Sequence, residues 1–120
     1  MLPNTLKPYK SNINNLIRIG PKRDGGYVID KRVIKKTKNI ITFGLSDDWN
    51  FEKEFIKKNF SCSVYAYDHT VNNNFWINRL KKDLISFVKL KKITPFKIYG
   101  IFKYFEYVIF FSKKNKHFQK

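Results

Sequence analysis

The apolar and polar positions change their pattern several times along this chain. Within 15–29 (NLIRIGPKRDGGYVI), two short extended pieces, Leu16–Ile19 and 27–29, flank a loop that holds Gly20, Pro21, Gly25 and Gly26, which predicts a hairpin-like arm. Asp30 follows as a cap for a brief basic helix running to Lys36. Asn39–Phe43 (NIITF) is a β-branched and aromatic run that stops at Gly44. Its unbroken apolar character predicts a strand buried on both faces, as in a parallel sheet. Over 50–58 the signals agree on a short helix: Asn50 as N-cap, Glu52 and Glu54 in the first turn, Phe51 and Phe55 on one face, Lys57 and Lys58 in the last turn, Asn59 as the stop. Ser63–Tyr67 (SVYAY) reads as a second buried strand ending at Asp68. Strand, helix and strand in that order require a parallel pair joined by a right-handed crossover.

Beyond Thr70 the period becomes helical. Asn72, Asn73 and Asn74 form a polar break, after which 75–90 places Trp76, Leu80, Leu84, Phe87 and Val88 on one stripe, with Lys81, Lys82 and Lys89 elsewhere. In 98–111, Ile98, Ile101, Phe102, Phe105, Val108 and Ile109 also recur at three and four, leaving Lys103 and Glu106 on the other face. Two amphipathic helices packed on the sheet are expected, separated at Pro95, with 113–120 as a frayed basic tail. The stretch 98–111 is shorter than the ~20 apolar residues a bilayer span needs and is interrupted by Lys103 and Glu106. Residues 1–10 (MLPNTLKPYK) hold two prolines and no apolar export core, so the expected compartment is the cytoplasm.

Composition adds one domain's worth of core and a large charge. The chain has 120 residues, 18% of them aromatic, and carries 25 Lys and Arg against 9 Asp and Glu, a net +16. Residues 71–120 hold 12 of the basic and only 2 of the acidic groups. Arg occurs just four times against 21 Lys, and Lys, Ile, Phe and Asn together make up 59 residues, all encoded by A- and T-rich codons. Much of the charge therefore reads as compositional bias at tolerant surface positions, which weighs against dedicated nucleic-acid binding. One cysteine (Cys62) and two histidines (His69, His117) leave neither a disulfide framework nor a Cys/His zinc site, and no metal is expected.

Candidate chemistry centres on the crossover unit. A strand ending at a glycine lets the backbone turn close to a ligand, and the next helix offers free N–H groups. Asp68 lies 24 residues after Gly44 at the end of the neighbouring strand, close to the ~20-residue spacing of an acid that accepts from ribose hydroxyls. An adenosine site and a plain buried βαβ unit, with Gly44 as turn and Asp68 as a solvated strand-end charge, fit this spacing equally well. His69 reads as a loop residue before a general base, Asp47 and Asp48 as partners of the helix dipole before cation ligands, and Trp49 as a core anchor at least as readily as an adenine stack.

Residue identity favours the ligand reading. RIGPKRDGGYVID (18–30), FGLSDDWNFEKEF (43–55) and YAYDHT (65–70), in that order, resemble the N-terminal half of S-adenosylmethionine-dependent methyltransferases of the FkbM-like group, over roughly 16–75. The resemblance implies an α/β chain with a partial Rossmann-like methyltransferase fold: a parallel βαβ unit, an N-terminal hairpin-like arm and C-terminal amphipathic helices. It implies Gly44 as the first cofactor-motif glycine, Ser46, Asp47 and Asp48 beside the methionine part of S-adenosylmethionine, and Asp68 on the ribose. Asp24, Gly25, Gly26 and Tyr27 would lie near the cofactor or the acceptor, a small metabolite or sugar-containing molecule. Thr42, in place of an acid, and Leu45 and Ser46, after the single glycine Gly44, depart from the family pattern, and after Asp68 the only carboxylates are Asp83 and Glu106. The expectation is therefore a single incomplete domain over 1–120, in which 76–120 is a basic helical extension, inactive alone and open to self-association or a complementing chain. No catalytic residue is assigned. The competing class is a non-enzymatic basic module that binds a membrane surface or nucleic acid through 76–120.

Overall fold

The computed structural model describes Pro3 and residues 12–22, 24–89 and 99–119. Leu90, Pro95, Ile98 and Lys120, used above to bound the helices and the tail, lie outside the described residues, as do Arg23 of the arm motif and most of 1–10.

The arm is an antiparallel pair, β1 (Leu16–Ile19) and β2 (Tyr27–Asp30), with Leu16 opposite Asp30 and Ile19 opposite Tyr27. Its turn needs glycine twice over. Gly20 and Gly25 have φ of +87° and +80°, and a Cβ on Gly26 would sit 1.9 Å from the Pro21 carbonyl oxygen. The single-turn helix α1 (Lys31–Ile34) begins where expected, since the Asp30 carboxylate accepts from the Arg32 N–H at 2.9 Å.

The main sheet is three-stranded and parallel, in the order β3 (Asn39–Phe43), β4 (Ser63–Tyr67), β5 (Lys116–Phe118). Between β3 and β4 runs α2 (Asn50–Lys58), so the strand–helix–strand unit is parallel as its sequence requires. Two boundary expectations change. Trp49, not Asn50, occupies the position before the helix and provides no side-chain cap; the Asp48 carboxylate does, accepting from the Asn50 N–H at 2.9 Å. The expected frayed tail instead supplies β5. Asn115 prepares that pairing: its side-chain oxygen accepts from the Val64 N–H at 3.1 Å while its amide donates to the Phe110 carbonyl at 3.0 Å. Asn115 is buried, and its bond to Val64 is shielded from water.

The two-sided burial expected of β3 is overturned. Strand residues alternate, and only the face carrying Ile40, Thr42, Val64, Ala66 and His117 is covered by α2 and the later helices. On the other face Ile41 is 62% and Phe43 78% exposed, and Phe43, Tyr67 and Phe118 form a stacked row with centroid separations of 5.7 and 4.8 Å. An unbroken apolar run specifies a strand that tolerates burial; it does not supply the layer that buries it.

After β4, Asn72 caps α3 (Asn73–Lys89) by accepting from the Phe75 N–H at 3.1 Å. Only the first part of α3's expected stripe is packed: Trp76 is buried and Leu80 half-buried, while Leu84, Phe87 and Val88 are exposed. The last helix, α4 (Tyr99–Phe111), is turned relative to expectation. Ile101, Phe102, Phe105, Val108 and Ile109 face outward, whereas Gly100 and Lys103 are buried and Tyr104, Tyr107, Phe110 and Phe111 pack on the core. A helix that is apolar almost all round offers two stripes at helical spacing, and periodicity cannot choose between them. Gly100 contributes to it: a Cβ there would lie 2.1 Å from the Asp83 carboxylate, so any larger residue would have to push that side chain aside for α4 to come this close to α3. The ring partners decide the rest, because Trp49 and Trp76 meet Tyr107 at 6.0 and 5.0 Å between centroids.

Two buried clusters result. Ile19, Ile34, Phe55 and Cys62 join the arm, α1 and α2; Leu45, Trp49, Ala66, Val71 and Trp76 join the loop after β3 to β4 and the later helices. Lys103, expected on a polar face, is buried with its ammonium 4.4 Å from the Trp49 ring centre and 3.4 Å from Glu106, which also pairs with Lys53. Among the described residues no helix is long and apolar enough to cross a membrane.

Candidate functional site

The C-terminal end of β3 is where the backbone leaves the sheet, and the sequence there dictates an unusual path. Gly44 takes a φ of +74° and Ser46, a residue with a side chain, a φ of +50°. Such a conformation persists only when neighbours hold it, and here Asp68 does so. Its carboxylate, 7% exposed, accepts from the Ser46 N–H at 2.9 Å, the Thr70 N–H at 2.8 Å and the Thr70 hydroxyl at 2.5 Å. Burial alone would raise the Asp68 pKa, but these donors, with the Leu45 N–H, outweigh it and hold the carboxyl at about 2. Gly44 itself donates to the Tyr67 carbonyl at 3.2 Å, so the loop is fastened to the end of β4 at two points.

The arm turn meets this loop from the other side. Tyr27 sets its ring edge-on to Phe51 of α2 at 5.2 Å, and the Gly20 N–H donates to Glu54. At Gly25 a Cβ would come within 3.4 Å of the Asp48 carboxylate. Between the two segments lies a cavity of about 340 Å³ lined by Asp24, Gly25, Tyr27, Gly44, Leu45, Ser46, Asp47, Asp48, Phe51 and Glu52.

Seven of the residues singled out from the sequence, Asp24, Gly25, Tyr27, Gly44, Ser46, Asp47 and Asp48, are therefore brought together around one cavity. The other two do not line it: Gly26 is packed against Pro21, and Asp68 lies beneath the loop with its oxygens engaged as described. Trp49 is wholly buried in the core. His69 is exposed. Among the described residues no group of three or more His, Cys, Asp and Glu side chains is placed to hold a metal ion.

Sequence reasoning missed Glu52. It is 5% exposed, accepts from the Thr42 hydroxyl at 2.6 Å, and has its pKa pushed up, chiefly by burial. The available signal was Thr42 at the end of β3, ten residues before an acid in the first helical turn. With Asp24, Asp47 and Asp48 it gives the cavity four carboxyl groups, with no Lys or Arg among the described residues that line it, in a chain of net +16. Asp47 forms an ion pair, 2.7 Å from Arg79. These carboxyl groups favour a ligand bearing positive charge.

Comparison of the chain with protein-family models, with curated proteins and with solved structures finds no match.

Proposed function

We propose that the chain is the cofactor-binding half of a Rossmann-like methyltransferase unit, which binds S-adenosylmethionine in the cavity at the end of β3 and transfers no methyl group by itself. The observation that supports this reading is the meeting of Asp24, Gly25 and Tyr27 with Gly44, Ser46, Asp47 and Asp48, two segments distant in sequence, around one acidic cavity. S-adenosylmethionine carries a sulfonium and an ammonium group, so an acidic lining favours it over its uncharged-sulfur product. Asp68 then acts through the loop it fastens. The acceptor class, a small metabolite or sugar-containing molecule, follows from the resemblance alone.

Titration calorimetry tests the reading. S-adenosylmethionine is expected to bind weakly, and its demethylated product more weakly still. Asp24→Asn with Asp48→Asn, which keeps the oxygens that accept from Gly25 and Asn50, should weaken binding of the methylated form roughly 10-fold or more. No heat with either ligand sinks the proposal.

The outward stripe of α4 favours one alternative, a basic module lying on an anionic membrane surface, with Ile101, Phe102, Phe105, Val108 and Ile109 inserted and the lysines of 76–120 on the head groups. Sedimentation with anionic vesicles separates the two. The cofactor reading expects any retention to vanish once salt screens the lysines; retention that survives screening, and is lost with Phe102→Ser and Phe105→Ser, establishes the membrane reading.

A further inference from the structure

We propose that two copies of this chain pair edge to edge through β3, antiparallel about a twofold axis at Ile41, to form one continuous six-stranded sheet. The inference rests on the backbone and does not depend on the cofactor reading.

Strand direction fixes which groups are free. The Ser63 N–H donates to the Lys38 carbonyl and the Gly44 N–H to the Tyr67 carbonyl, so residues 38, 40, 42 and 44 turn their peptide groups toward β4. The N–H and C=O of Asn39, Ile41 and Phe43 therefore point away from β4, to a side where no strand lies among the described residues. Natural edge strands are blunted by a lysine, a proline, a bulge or a cover. Among the described residues none protects this one: Asn39–Phe43 has no charge and no proline, pairs with β4 in unbroken register, and exposes Asn39, Ile41 and Phe43.

The same three residues select the register. Pairing Ile41 with its own copy sets Asn39 opposite Phe43 in both directions, and every outward group then exchanges bonds, about six in all. Sliding by one residue would oppose outward groups with inward ones.

Charge selects the occupant. The approach to β3 is basic, with Lys35, Lys36 and Lys38, while the loop after it carries Asp48 and the Arg79-paired Asp47. Antiparallel pairing sets the basic end of one copy beside the acidic end of the other, so the edge is complementary to itself. This local match acts at contact distance, whereas the repulsion between two +16 chains is spread over their surfaces and screened beyond ~8 Å at physiological salt. In the pair, Lys38 of the second copy comes next to Gly44, at the mouth of the acidic cavity.

Sedimentation velocity from micromolar to millimolar concentration should show a species of twice the chain mass. Ile41→Pro removes only an outward N–H and leaves the bonds to β4 in place, so it should sediment as a monomer with an unchanged far-ultraviolet spectrum. Tyr67→Ser, on the outer face of the middle strand, should remain dimeric. Ile41→Cys should oxidise to a disulfide-linked dimer, since directly opposed residues bring their Cα atoms to ~5.5 Å, within disulfide reach; Phe118→Cys, at the far edge, should not. A parent that stays monomeric throughout overturns the proposal. So does an Ile41→Pro variant that still dimerises, or a dimer lost in Tyr67→Ser, which would mean that the outer faces stack instead.

Discussion

Trp49→Ala should destabilise the fold by about 3–5 kcal/mol, enough to leave a domain of ordinary stability partly unfolded without denaturant. Trp49 is the largest of the fully buried side chains. Its ring meets Trp76, Tyr107 and Phe111 edge-on at 6.0 to 6.4 Å, and it also bears the Lys103 ammonium. Truncation would remove the contact that holds α3 and α4 against the sheet and take from the buried Lys103 the nearer of its two aromatic rings, leaving Tyr99 at 6.0 Å. Trp49→Phe provides the control. The Trp49 indole N–H is buried without a hydrogen-bond partner, so phenylalanine sheds an unsatisfied donor while keeping most of the ring. Its cost should stay near 1 kcal/mol in urea unfolding. A Trp49→Ala protein within 1 kcal/mol of the parent would show that the second cluster is not the keystone of the helical part.

That cluster also marks where the sequence stops being legible. Local chemistry was readable: Asp30 as a cap, Gly44 as the end of β3, Lys57 and Lys58 closing α2, and the parallel pairing that strand–helix–strand order demands. These features depend on residues a few positions apart. The side of α4 that faces inward depends on Gly100 meeting Asp83 and on Tyr107 meeting Trp49, partners 17 and 58 residues away. No periodicity in 98–111 encodes that choice. β5 was hidden for the same reason, since Lys116, His117 and Phe118 have little pattern of their own and are recruited by the free edge of β4. The cavity was half legible. Its loops were marked by glycines and acids, but Phe51 and Glu52 enter through the turn of α2, and the part Asp68 plays beneath the loop follows from the φ of Ser46.

Asp68→Ala should cost about 3 kcal/mol and disorder the loop from Gly44 to Asp48, because the Ser46 and Thr70 N–H groups would lose a charged acceptor in a largely buried setting. Binding of S-adenosylmethionine should be lost with it, as a consequence of the loop's release. The linked pH effect has a definite sign. The carboxyl titrates at about 2 in the folded chain against an ordinary value of 3.8, so its stabilisation is complete above pH 3.8 and is lost as pH falls toward 2. Urea midpoints measured from pH 5 to pH 2 should therefore fall more steeply for the parent than for Asp68→Asn. Equal slopes would remove Asp68 from its place as the fastening of the loop.

The recruitment of β5 carries a consequence in time. Tyr65 pairs with Lys116, about 50 residues later in the chain. At ~5–20 residues per second of synthesis, the β3–α2–β4 unit is complete about 3–10 s before its third strand can reach it. During that interval β4 shows a bare edge as well as β3, and Trp49 and Ala66 await α4. A nascent chain exposing two uncharged strand edges is a substrate for chaperones and for its neighbours on the same message. The β4 edge closes only when Asn115 takes hold of Val64 and β5 pairs beside it.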